Sequence, residues 1–347
     1  MTLQQLLGID LPIIQAPMAG AQASAMAIAV SNAGGLGSLP CAMLDAKGMR
    51  NELRLIASQT DKPINVNFFC HTPPVFNAAR EAAWRRKLAP FYMEFDIDDA
   101  TIPTGPGRAA FNDEMAALLD EFKPQVVSFH FGLPPDRLLD RVKQIGAKIF
   151  SSATTVAEAL WLEDKGVDAV IAQGLEAGGH RGIFLSDDLT TQIGSMALLP
   201  QIVRAVNIPV IAAGGFADAG GVRAALSLGA SAVQIGTAYL LCPEATISAI
   251  HRAALKSEAA RHTALTNIFT GRPARGILNG VMKTLGPINA AAPAFPLATS
   301  AIAPLRAKAE ARGSGDFSPL WSGQNATGCK ETGAGQLTRE LASLVSA

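Results

Sequence analysis

The feature that most constrains this chain is a repeating beat of short apolar runs and helical stretches. From residue 110 onward the beat is strict. Helix 110–122 leads to an apolar run at Val126–His130, helix 135–144 to Lys148–Phe150, and helix 155–165 to Ala169–Ala172. Helix 194–205 then leads to Pro209–Ala212, and helix 219–228 to Ala232–Ile235. Runs of three to six mostly apolar residues bounded by glycine and polar turns read as strands buried on both faces, as in a parallel sheet. Three earlier runs, Leu11–Gln15, Gly34–Leu39 and Pro63–Phe68, bring the count to eight strands. Eight βα units are the number at which a parallel sheet closes on itself, so the expected fold is a (β/α)8 TIM barrel. An open doubly wound sheet is the alternative. It would want a dinucleotide glycine fingerprint after the first strand, and the residues there, QAPMAG, do not supply one.

The last two strands carry the most local information. Residues 208–237 read as strand, glycine turn, helix and strand. Asp218 is placed to cap the helix, and Gly229 to close it in a left-handed conformation. Both strands end in glycine, at Gly214-Gly215 and at Gly236-Thr237, where exposed backbone N–H groups make a phosphate cradle. An ordinary βαβ unit with glycine turns has the same appearance. Position favours the cradle, because this fold commonly builds its phosphate site after strands seven and eight.

Two segments break the beat. Residues 70–107 hold Pro73-Pro74, a basic-aromatic helix near Trp84–Leu88 and an acidic, proline-containing loop, and are expected to form an excursion on one face. Residues 245–347 carry helical composition at 245–260 and 302–312, and are expected to cover the barrel mouth. The expected division is a barrel from 1–240 plus 305–347 and a smaller α-helical substrate or lid domain at 241–304.

Charge excludes some partners. Lys plus Arg and Asp plus Glu number 29 each, and no basic run is present. Neither nucleic acid nor an anionic membrane is expected, so an anionic ligand must be held by local groups. Residues 11–44 are uncharged but broken by proline, glycine, glutamine and asparagine, which argues for buried strands and not a membrane helix. The N-terminus lacks the pattern of a signal peptide. Cys41, Cys70, Cys242 and Cys329 are scattered, as expected of reduced thiols in the cytoplasm. No Asp/Glu/His cluster has metal-ligand spacing, and no metal is expected.

Active groups of a closed barrel sit at the carboxyl ends of its strands. Those positions give Gln15 and the loop to Met18, Asn67, His130, Gln173, Gly178-Gly179-His180, Gly214-Gly215 and Gly236-Thr237. His180, in GLEAGGHRG, is the sharpest candidate. Its glycines allow close approach to a ligand, and its ordinary pKa suits a general base. A loop histidine bonded to backbone is the plain alternative. His130 fits ligand orientation or packing equally. His71, His251 and His262 have no such placement, and solvent exposure is expected of them. Glu176 is expected to pair with Arg181 or solvent. With few acid/base groups beside a good phosphate cradle, the chemistry points to a bound organic cofactor.

These residues resemble a known family. QAPMAG, NVNFFCHTPP at 65–74, SFHFGLP at 128–134, AQGLEAGGHRG at 172–182, IPVIAAGGFADAGG at 208–221 and QIGTAYL at 234–240 are similar to the class I nitronate monooxygenases, formerly 2-nitropropane dioxygenases. TGRPARGILN at 270–279 and LWSGQ at 320–324 are similar too. The resemblance implies one noncovalent FMN. Its phosphate would lie on Gly215 and on Gln234, Ile235, Gly236 and Thr237, with the neighbouring Gly214 counted among the cofactor contacts. Its ring system would lie near Ala16, Pro17, Met18, Asn67, Gln173, Gly178 and Gly179. The resemblance makes His180 the catalytic base, and His130 is carried beside it as a substrate-contact candidate on the strength of its strand-end position. It implies oxidation of alkyl nitronates by O2 to a carbonyl compound and nitrite, through one-electron transfer to the flavin. Propionate 3-nitronate is the implied natural substrate, with detoxification as the purpose. Neutral nitroalkanes would need His180 to remove the α-proton first. The pocket tyrosines common in the family have few counterparts here, since the chain has only Tyr92 and Tyr239. A homodimer is carried as an expectation, although no segment argues for it. The rival enzymatic reading is an FMN-dependent quinone or enoyl-thioester reductase using NAD(P)H. Gln173 and Arg181 favour the nitronate branch. A flavin-binding sensor or scaffold is the non-enzymatic rival.

Overall fold

A computed structural model describes residues 3–103 and 108–345. The part of the proline-containing loop at 104–107 lies outside the described residues. Eight parallel strands form one sheet: β1 (Ile13–Gln15), β2 (Gly37–Pro40), β3 (Ile64–Phe69), β4 (Val126–His130), β5 (Lys148–Ala153), β6 (Ala169–Gln173), β8 (Val210–Ala213) and β9 (Ala232–Ile235). The two-residue β7 (Gly179–His180) lies outside it. The strand order β1-β9-β8-β6-β5-β4-β3-β2 is that of a wound barrel. The ends meet through Leu36. Its N–H donates to Ile13 O, and its O accepts from Gln15 N, each at 2.9 Å. Closure abolishes both sheet edges, as a TIM barrel requires.

Side-chain alternation then sorts the residues. Successive strand residues face opposite sides of the sheet. Ile14, Val126, Phe150, Ala169, Ile171, Ile211 and Ala232 fill one buried cluster together with Leu3, Leu7 and Ile9. The helix Leu3–Leu7 contributes to that inner cluster. Their neighbours Ile13, Val127, Ile149, Val170, Val210 and Val233 pack in the larger cluster, with the surrounding helices. The same parity carried to the carboxyl ends brings inward Asn67, His130, Ser152, Gln173 and Gln234. Polarity at the mouth is therefore a consequence of strand period and of which residue ends each run.

The expected helix signals at 208–237 are present. Asp218 accepts from Gly221 N at 2.8 Å, and Gly229 has a φ of +98°. The C-terminal helix Ala334–Leu341 returns to the barrel, burying Ala334, Leu337 and Leu341 against its core.

A second hydrophobic core joins two stretches distant in sequence. Trp84, Leu88, Tyr92 and Phe95 pack with Ile268, Phe269, Ile302, Leu305 and Phe317. The helix Ala78–Glu94 thus shares a core with the helix Ala298–Ala311, and Tyr92 Oη donates to Ala301 O at 2.6 Å. A small antiparallel sheet completes this layer. Its order is β10 (Thr263–Thr266), β11 (Ala274–Ile277), then β7, with Ala274 opposite His180. This sheet differs from the expected all-helical layer, because its strands are too short to show alternation in sequence.

Candidate active site

One cavity of about 510 Å³ opens at the carboxyl ends of the strands. Of the predicted positions, Ala16, Pro17, Met18, Asn67, His130, Gln173, Gly178, Gly179, His180, Gly214, Gly215, Gln234, Ile235, Gly236 and Thr237 line it. Gln15 does not: it is fully buried beneath the cavity, where its Oε1 accepts from Ser38 N and Gln22 Nε2 at 3.1 Å. It is also lined by residues that strand counting does not single out, notably Phe69, Arg108, Ser152, His251, Trp321, Gly323 and Asn325.

His180 is held by its backbone and freed at its ring. The short strand β7 fixes it against β11. Its carbonyl accepts from Gln173 Nε2 at 3.0 Å and from His130 Nε2 at 3.1 Å. Its Nε2 lies 3.0 Å from Thr270 Oγ1, which in turn lies 3.4 Å from Arg272 O. A hydroxyl that donates to that carbonyl accepts from the imidazole Nε2–H. The Nδ1 lone pair then has no protein partner among the described residues. Phe69, Phe131, Phe295 and Trp321 surround the ring at centroid distances of 5.4–6.0 Å. Burial among these rings, and then the Arg108 charge, hold its pKa well below 6.5.

His130 is differently placed. With Nε2 donating to His180 O, its Nδ1 accepts from Ser152 Oγ at 2.9 Å. Both ring nitrogens are therefore engaged with the protein. Burial lowers its pKa to about 3, so the ring is neutral. Gln173 is engaged at both side-chain polar atoms, because its Oε1 accepts from Gly182 N at 2.7 Å. Asn67 donates to Ser128 Oγ at 2.9 Å through Nδ2, and its Oδ1 has no protein partner among the described residues.

The loop between β6 and β7 is fastened from beneath. Arg181 is fully buried and donates to Gln173 O, Gly174 O and Gln192 Oε1 at 2.7–3.0 Å. Burial, and then the nearby Arg275, push its pKa down to about 10. Arg275 donates to Leu175 O at 3.0 Å. Glu176 does not pair with Arg181, contrary to expectation. Its carboxylate accepts from Ser195 N and Ser195 Oγ at 2.8–3.0 Å, at the start of the helix Ser195–Ala205. A free helix N-terminus offers unpaired N–H groups and a positive dipole end, which outcompete a more distant guanidinium. The carboxylate holding the far side of the loop is Glu158, 1% exposed. It accepts from Thr154 N and Oγ1 and from Phe184 N and Leu185 N.

The end of the cavity at β8 and β9 has the character of an anion site. Gly214 and Gly215 have φ values of +106° and +83°, accessible to glycine at little cost. The amides of Gly215, Gly236 and Thr237 donate to no protein acceptor among the described residues. Gln234 Oε1 is buried there and has no partner among the described residues. A C-terminal strap crosses the same place. Gly323 N donates to Thr237 Oγ1 at 2.9 Å, and Asn325 Nδ2 to Gly215 O at 3.1 Å.

The expectation of exposed histidines fails at two positions. His71 and His251 are buried, at 6% and 8% exposure. His251 Nε2 is bonded to Trp321 O at 3.0 Å and His71 Nε2 to Arg108 O at 3.3 Å. Each is drawn inside by a partner remote in sequence, which local patterning does not reveal. His262 is exposed, as expected. Neither tyrosine lines the cavity. Tyr92 belongs to the second core, and Tyr239 is buried against Thr338.

Known proteins share this sequence and shape. The sequence profile of the nitronate monooxygenase family matches residues 1–343. A nitronate monooxygenase of Pseudomonas aeruginosa is 43% identical over 344 residues, covering 97% of each chain. One from Paraburkholderia phytofirmans is 42% identical, covering 97% of this chain and 92% of that one. Among solved structures, nitroalkane oxidase from Streptomyces ansochromogenes superposes with a TM-score of 0.88 at 37% identity, covering 98% of this chain and 96% of that one. FabK from Thermotoga maritima superposes with a TM-score of 0.73 at 26% identity, covering 98% and 94%.

Proposed function

Since the chain belongs to the nitronate monooxygenase family and is an oxidoreductase, we propose that it oxidises alkyl nitronates with O2 to a carbonyl compound and nitrite, using FMN. The observation that carries the cofactor is the anion site at the ends of β8 and β9. Three free amides and a buried, partnerless Gln234 Oε1 are groups that a phosphate and a polar ligand would satisfy. Gly214 and Gly215 leave the backbone bare where a Cβ would crowd it. Gly178 does the same beside the strap, where a Cβ would sit 2.5 Å from Gly323 N. Ala16–Met18, Asn67 and Gly178-Gly179 would hold the ring system. When bound, FMN supplies an acceptor for one electron from the nitronate.

The chain's own contribution is position and one proton. His180 is neutral at physiological pH because its pKa is depressed. Nε2–H rests on Thr270, and the Nδ1 lone pair is available to take the α-proton of a neutral nitroalkane. Gln173 and His130 fix the His180 backbone, so we assign both a positioning role and not one in direct substrate contact. The unit 241–304, with the helix Ala78–Glu94 that shares its core, serves as the lid. Phe69, Trp321 and Phe295 exclude water around the base. We take the enzyme to be cytoplasmic, with small-molecule partners; no described helix is long and apolar enough to cross a membrane.

The test is His180→Asn. The variant should keep its flavin colour and much of its activity on preformed nitronate, while activity on neutral nitroethane falls about 10²-fold or more. An unchanged rate on nitroethane would remove His180 as the base.

A further inference from the structure

Three charged side chains line the cavity among the described residues: Arg108, Arg306 and Glu310. Arg306 Nε donates to Glu310 Oε1 at 2.8 Å, so these two satisfy one another, and Ser318 Oγ adds a second donor to the carboxylate. Arg108 differs. Among the described residues its guanidinium makes no hydrogen bond and no ion pair, although the residue is half-buried. Its position is built nevertheless. His71, itself buried, donates from Nε2 to Arg108 O at 3.3 Å. The guanidinium carbon lies 5.9 Å from the Phe295 ring centroid, and the His71 ring meets the same phenyl edge-on at 4.8 Å.

Phe295 also stands against His180, at 5.4 Å. The cation and the base therefore flank a common ring without touching each other. A substrate whose α-carbon lies at His180 would meet Arg108 with another part of its chain. An unpaired guanidinium facing the cavity recognises an anion, and its planar fork matches a carboxylate.

We infer that Arg108 is a specificity-determining residue that binds a carboxylate carried by the substrate at the end remote from the nitronate, so that this chain favours carboxylated nitronates over those with plain alkyl chains. The assignment rests on the nitronate reading of the same site. It places substrate recognition on an arginine held by His71 in a cavity that neither tyrosine of the chain reaches.

The experiment compares kcat/KM of the holoenzyme for propionate 3-nitronate and propyl-1-nitronate, in the wild type, Arg108→Met and Arg108→Lys. A thermal-shift titration with butyrate reports carboxylate binding without turnover. The wild type should prefer the carboxylated substrate. In R108M the ratio of the two kcat/KM values should fall roughly 10- to 100-fold, chiefly through KM, as loss of a charged hydrogen bond predicts. R108K should recover part of the ratio, and butyrate should stabilise the wild type but not R108M. An unchanged ratio in R108M, or equal stabilisation of both proteins by butyrate, would overturn the assignment. If the wild type oxidised neither nitronate while butyrate binding still depended on Arg108, the nitronate reading would fail and the carboxylate site would stand.

Discussion

At the scale of single residues the site is a problem in placing one imidazole. Its backbone carries two side-chain donors, and its ring carries one hydroxyl. The depressed pKa has a kinetic consequence. The acid limb of kcat/KM for a neutral nitroalkane should fall below pH 6.5, since the free enzyme keeps its base deprotonated there. A limb centred at or above 6.5 would show a base less buried than His180. The carboxylate Glu158 offers a test of the support beneath. Glu158→Ala leaves the amides of Thr154 and Phe184 unpaired in the interior, and the loss of stability should be about 2–4 kcal/mol by denaturant unfolding. A change under 1 kcal/mol would show that water replaces the carboxylate. What sequence reasoning located at this scale was the ends of strands: Asn67, Gln173, His180 and the glycine pairs. Their partners escaped it. Nothing local says that Thr270 meets His180, or that Glu176 turns to a helix N-terminus and away from Arg181.

At the scale of elements the barrel was legible because each strand is a continuous apolar run ended by glycine or a polar residue. Val126–His130 and Ala232–Ile235 match the expected bounds, while β1 and β2 begin two to three residues late. The small sheet was not legible. Its strands, GH, TALT and ARGI, lack both length and alternation, and only tertiary pairing makes them strands. The strap at Gly323–Asn325 shows the same limit, since its function depends on contact with Thr237 and Gly215. It also yields a prediction. Gly178→Ala would put a methyl group against the Gly323 backbone, which cannot yield like a flexible side chain. The purified variant should bind FMN at least 10-fold more weakly by fluorescence titration, or fail to retain it, because loop and strap must separate. Wild-type affinity would mean that the strap lies clear of the site.

At the scale of the whole molecule, two hydrophobic cores meet over one cavity, and buried histidines accumulate there. His130, His180 and His251 all have pKa values below 6.5, to about 3 for His130 and about 4 for His251, with burial the leading cause. Between pH 6.5 and those values the unfolded chain holds protons that the folded chain does not. Stability must therefore fall as the pH is lowered through this window. From pH 7 to 5 each neutral histidine should account for about 1–2 kcal/mol, and Tm should drop accordingly. A flat Tm over that range would show the rings to be wetter than the packing implies. Closure of the barrel followed from counting eight runs. The second core did not, because Trp84–Phe95 and Ile268–Phe317 are joined only by the fold.

The most direct test of the account is the visible spectrum of the purified protein during anaerobic addition of propionate 3-nitronate and, separately, of NADH. A yellow protein bleached by the nitronate and left unchanged by NADH is the predicted result. Rapid bleaching by NADH, with no response to the nitronate, would contradict it and make the chain a reductase.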